Sequence, residues 1–186
     1  MFLFLHKGGR PRPVHTAAHA PAEHYCRGME IWREDRVAAA LAGQNPTVMT
    51  RLSASFAVIG DVQFLPGYSV ALTDAPGVDR LSDLSRASRL RFLRDMDVLG
   101  EAVETGCSRR DEAFIRVNLE ILGNTDAFLH AHVWPRYEWE GPEAYRTPVW
   151  LYPPERWSDA AFALGPEHDA LRSDLTETIE RLHRAG

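Results

Sequence analysis

Two hydrophobic periods divide the chain. Over residues 82–105, Leu84, Ala87, Leu90, Leu93, Met96, Leu99, Ala102 and Val103 recur at helical spacing. Asp83, Arg86, Arg89, Arg94, Asp97 and Glu101 fill the other side. This predicts an amphipathic helix lying on a sheet, closed by Gly106. Residues 167–184 carry the same period through Leu171, Leu175, Ile179 and Leu182. A shorter helix is expected over residues 29–41, with Gly43 as its stop and Pro46 beyond. Between the helices the pattern is extended. Residues 51–59 read as a strand, Gly60-Asp61 as a turn, and residues 62–65 as resumed extended structure. Pro66-Gly67 punctuates again before a strand over residues 68–73, which Asp74, Pro76 and Gly77 end. Residues 114–122 and 128–134 read as two strands joined by Gly123-Asn124-Thr125-Asp126, a turn-rich link that suits antiparallel pairing. The sum is an α+β domain with helices packed on one face of an antiparallel sheet.

Composition narrows the classes. The chain has 186 residues, 45% hydrophobic and 25% charged, which fits one ordinary globular domain and excludes widespread disorder. That domain is expected over residues 26–186, ending in a helical extension. Residues 1–25 hold scattered prolines and four irregularly spaced histidines and read as a flexible lead-in. No apolar run approaches the ~20 residues of a membrane-spanning helix. A formal net charge of −5 argues against a general nucleic-acid binder. Lys7 is the only lysine among 21 basic residues, a bias that a GC-rich coding sequence explains. Cys26 and Cys107 have no CxxC spacing, so neither a disulfide framework nor a zinc knuckle is expected, and a reducing cytoplasm is the expected location.

The chemistry concentrates in residues 123–139. His130 and His132 are the only histidines inside an expected strand. Strand alternation points Phe128, His130, His132 and Trp134 to one face, and Leu129, Ala131 and Val133 to the other, under a helix. Two adjacent imidazoles on one face each need a partner once desolvated. Three readings fit. One imidazole is a phosphorus nucleophile and the other a donor, with Thr125, Asn124 and Asn118 as neutral phosphate contacts. Alternatively the pair ligates a metal, or the two are hydrogen-bonded structural groups.

Gly123-Asn124-Thr125, followed by Leu129-His130-Ala131-His132-Val133-Trp134-Pro135-Arg136-Tyr137, resembles the signature of the histidine triad family of nucleotide hydrolases and transferases. Pro135-Arg136 sets the register, making His132 the third histidine and His130 the middle one. Phe128 stands at the first position, and Pro66-Gly67-Tyr68 stands where Pro-Gly-His is common. The likeness spans about residues 50–140. It implies a diadenosine polyphosphate hydrolase-like enzyme in which His130 attacks the α-phosphate of a nucleotide and forms a nucleotidyl-histidine. It also implies that His132 donates beside the phosphate, that Thr125, Asn124 and Asn118 lie at phosphate-contacting positions, and that the chain forms a homodimer. No cofactor and no protein-bound metal are implied. A nucleotidyltransferase or phosphorylase would use the same nucleophile, and a nucleotide-binding module without catalysis is the rival of another class. A cupin-like metal site needs spacings that Gly123, His130, His132, Glu138 and Gly141 all miss.

Overall fold

The computed structural model describes residues 31–123 and 125–185. The expected lead-in, the first residues of the expected 29–41 helix and Asn124, expected at a phosphate contact, lie outside them. Five strands form one antiparallel sheet: β1 (Val48–Arg51), β2 (Ser55–Ile59), β3 (Ser69–Thr73), β4 (Phe114–Glu120) and β5 (His130–Tyr137), in spatial order β1-β2-β3-β5-β4. The single strand expected over residues 51–59 is instead a tight hairpin. Its turn closes on Leu52 N–H to Ser55 O at 2.8 Å. The buried Asp95 carboxylate takes the amides of Ser53 and Ala54 and the Ser55 hydroxyl at 3.2, 2.7 and 2.9 Å. A carboxylate from a distant helix thus satisfies the turn's donors, a contact that local pattern does not reveal.

Helix α1 (Arg36–Leu41) is capped by Asp35, whose carboxylate accepts the Ala38 amide. Helix α2 (Arg86–Ser108) is capped in the same way by Ser85. The short turns α3 (Pro142–Tyr145) and α4 (Glu155–Ser158) precede α5 (Asp169–Ala185). Helix α2 lies on the sheet face that carries Ala57, Ala71, Ala131 and Val133, and buries Phe92, Leu99 and Val103 there. Its apolar face is rotated from the expected one, because Asp95 needs the core side, and Leu90 faces solvent. Gly106 does not end α2. A Cβ there would come within 2.7 Å of Leu175, so glycine is what lets α5 pack against α2. On the opposite sheet face, Val37 and Ala40 of α1 pack on Phe56, Val58 and Leu72 in a second small core. Both long helices therefore cover one face, as expected, while α1 shelters part of the other.

Residues 62–65 are not a strand. Val62 makes one bridge to Ala163, and Gln63 N–H donates to Phe162 O at 2.6 Å. The segment after β5 thus straps the β2–β3 connection. Its anchor is Arg136, which pairs with Glu140 at 3.1 Å with both side chains only 2% exposed. Arg136 also donates to Ala144 O, Tyr145 O and the Tyr152 hydroxyl at 2.9, 3.1 and 3.0 Å. Burial works against the guanidinium charge, and Glu140 outweighs it, so the Arg136 pKa is raised.

Candidate active site

Strand β5 lies between β3 and β4, with Val70 opposite His132 and Leu72 opposite His130. Pairing with β3, and for His132 also with Glu120 of β4, fixes which way each imidazole points. His130, His132 and Trp134 face a cleft of about 630 Å³, while Leu129, Ala131 and Val133 enter the core beneath α2, as alternation predicted. Phe128, Val58, Val70 and Leu72 form the apolar wall next to His130, and its ring lies 5.0 Å from that of Phe128. Toward the other end, the His132 ring stacks on Trp134, which meets Trp157 edge-on. Trp150 also lines the cleft.

The decisive contact is made by main chain. His130 Nδ1 lies 2.8 Å from Phe128 O. A carbonyl only accepts, so Nδ1 carries the hydrogen and Nε2 of the neutral ring keeps its lone pair. The side chain at the first signature position is absent as an imidazole, yet the carbonyl that orients His130 is present. His130 Nε2 lies 3.1 Å from His132 Nε2, with the two rings perpendicular. The Tyr68 hydroxyl lies 2.9 Å from His132 Nδ1. Burial, and then the neighbouring His130, pull the His132 pKa down to about 4, so this ring is neutral at pH 7. Burial, then Asp61, push the Tyr68 hydroxyl far above the ordinary phenol range, so it stays protonated.

Thr125 lines the cleft and is exposed. Asn118 sits opposite Trp134 on the imidazole face, but it is not among the residues lining the cleft. Opposite His132 stands Glu120, whose carboxylate accepts Trp134 Nε1–H at 3.0 Å. At the far rim, Asp61 is paired with Arg36 at 3.0 Å and Arg33 at 3.4 Å. Among the described residues no three His, Cys, Asp or Glu side chains converge as a metal site.

The Phe128 carbonyl takes the orienting place expected of it once the first imidazole is missing. Sequence pattern left two features unread: the Tyr68 hydroxyl, and the cleft walls contributed by Trp150 and Trp157. Parity held the signal for Tyr68. It shares a face with Val70, and Val70 is the register partner of His132.

No protein-family model matches the sequence, and no curated protein matches it. Solved structures do. A histidine triad protein from Marinobacter aquaeolei superposes with a TM-score of 0.58 at 19% identity, over 73% of this chain and 89% of that one. The fold is that of the histidine triad proteins. A second such protein, from Sinorhizobium meliloti, gives 0.57 at 16% identity over 70% and 87%. A hypothetical histidine triad nucleotide-binding protein from Sulfolobus tokodaii gives 0.57 at 12% identity over 80% and 93%. In this chain that fold places His130 and His132 side by side on β5, facing the cleft.

Proposed function

We propose that the chain is a histidine triad hydrolase that cleaves a nucleotide at its α-phosphorus. The observation that carries this reading is the 2.8 Å contact from His130 Nδ1 to Phe128 O, which leaves the Nε2 lone pair on the cleft side. In the first step that lone pair forms an N–P bond. The bond from phosphorus to the leaving group breaks, and its electron pair departs with the leaving group. Water then attacks phosphorus, the N–P bond breaks, its pair returns to Nε2, and the water's proton is released to solvent. His132, neutral and adjacent, supplies an N–H to the phosphoryl oxygens as they gain charge. Thr125 at the cleft adds a hydroxyl donor. Dinucleoside polyphosphates and nucleoside phosphoramidates are the substrate classes, and the apolar wall of Phe128, Val58 and Leu72 suits a base.

Dimerisation belongs to the same reading. Strand β4 is an edge of the sheet and exposes Ile115 and Leu119. A free buried Cys107 suits the reducing cytoplasm. The rival, a binding module without turnover, draws support from the engagement of His130 Nε2 by His132.

The test is turnover of diadenosine polyphosphates and adenosine phosphoramidates by wild type and His130→Ala. It is paired with intact mass measurement of rapidly quenched wild type. Nucleotide release and a nucleotidyl adduct, both absent from the variant, are expected. Tight nucleotide binding with no release on any substrate selects the binding module instead.

A further inference from the structure

Tyr68 is the residue immediately before β3, and its ring is fixed on several sides. It stacks on Trp134 at 3.8 Å with 10° between the planes. Its edge fills the space at Gly60, where a Cβ would come within 2.2 Å of the ring. The buried Gln63 carboxamide donates to Gly60 O and Tyr68 O at 2.7 and 2.9 Å and accepts the Gly67 amide at 2.9 Å, closing the loop that presents Tyr68. Gly67 itself has φ +95, and a Cβ there would meet Cys107 Sγ at 2.3 Å, so that turn is restricted to glycine. So much local construction holds one hydroxyl at His132 Nδ1.

Donor counting then leaves a single arrangement of protons. His130 Nδ1–H is committed to Phe128 O, so His130 Nε2 can only accept. The hydrogen in the 3.1 Å contact must therefore belong to His132 Nε2. A neutral His132 with its hydrogen on Nε2 has only a lone pair at Nδ1, and the Tyr68 O–H at 2.9 Å fills it.

We propose that Tyr68 is a positioning residue. By donating its O–H to His132 Nδ1, it keeps the His132 hydrogen on Nε2, aimed at the site of the α-phosphoryl group, when the bond to His130 is given up. A nucleotide phosphoryl oxygen entering the cleft replaces His130 Nε2 as the acceptor of that hydrogen, and the His130 lone pair is freed as the substrate arrives. The resting enzyme thus keeps its nucleophile covered, and the charge that uncovers it belongs to the substrate class it cleaves. This proposal rests on the displacement at His130 described above.

Tyr68→Phe is the discriminating variant, because the phenyl ring keeps the Trp134 stack and the Gly60 contact while the hydroxyl is lost. Imidazole nitrogen NMR on the labelled full chain reads the tautomers directly. In wild type, His132 is expected as one neutral tautomer with its hydrogen on Nε2. In Tyr68→Phe the His130 contact still holds the resting hydrogen on Nε2, and the Nδ1 resonance moves to that of a lone pair without a donor. The accompanying kinetic expectation is a fall in kcat of about tenfold with KM held within about twofold, because the groups that bind the nucleotide stay in place. A His132 hydrogen on Nδ1 in wild type, an Nδ1 resonance unmoved in Tyr68→Phe, or an unchanged kcat overturns the proposal. The wild-type tautomer alone decides it if the variant does not fold. Because the NMR measurement needs no turnover, an inactive wild type overturns the hydrolase reading while the tautomer still judges Tyr68.

Discussion

Strand β5 carries two polar clusters about one helical turn's worth of residues apart in sequence, and they are built on opposite terms. Arg136, Glu140 and Tyr152 are saturated. The guanidinium reaches a carboxylate, two carbonyls and a hydroxyl, and Tyr152 donates back to Glu140. None of the three lines the histidine cleft, and Nε and Nη2 of Arg136 are committed to holding the strap. His130 and His132 are also desolvated, but their one mutual hydrogen bond faces the cleft and can be exchanged for a bond to a ligand. No buried side-chain nitrogen or oxygen among the described residues lacks a partner in either cluster. What distinguishes a reactive cluster from a structural one here is therefore the replaceability of a partner. Burial alone does not separate them.

The contrast breaks most visibly at His130. His130→Ala is expected to lower turnover at least about 10⁴-fold while leaving the unfolding midpoint within a few degrees of wild type. Substrate kinetics beside calorimetry on the same sample checks both halves. In the saturated cluster the effects reverse. Glu140→Ala strands the Arg136 charge in the interior and should cost about 3–5 kcal/mol in urea unfolding. A loss below 1 kcal/mol would place Arg136 in contact with solvent and dissolve the distinction.

Acid sharpens the comparison further. His132 takes up its proton at about 4 when folded and near 6.5 when unfolded, so the unfolded chain binds more protons between those values. Stability from this group is complete above about pH 6.5 and is lost as the pH falls toward 4. Going from pH 7 to pH 5 should remove about 2 kcal/mol, and His132→Gln should abolish that part of the pH dependence. Parallel pH profiles for wild type and variant would refute the assignment. The smallest effect is expected at the exposed cleft rim, where Thr125→Ala should raise KM about two- to fivefold with little change in unfolding midpoint. Steady-state kinetics reads that directly.

Alternation made the imidazole face and the core face of β5 legible before any coordinates, because a strand leaves each residue only two directions. The helical period made α2 legible as a scaffold helix. It did not place Asp95, since that carboxylate answers to amides some 40 residues away, and the buried face turned with it. The hairpin at residues 52–54 stayed hidden for the same reason. At the candidate site, side-chain chemistry singled out His130, His132 and Thr125. The carbonyl of Phe128 was foreseen only as a substitute for a missing imidazole, and the role of Tyr68 needed the register of β3 on β5. The strap after β5 had no periodic signal at all, because short turns held by one buried ion pair repeat nothing.

The two rims of the sheet are not equivalent. Along β1, α5 lies close enough for Arg172 to cap the carbonyls of Pro46 and Val48 at 2.6 and 2.9 Å, so that rim is already spoken for. Among the described residues no side chain caps the carbonyls of β4 in that way. In the proposed dimer a second copy joining through its own β4 would use up both open rims, and growth would stop at a pair. A chain whose strands offer two open sides could stack without limit, and one arginine on the last helix removes that hazard here.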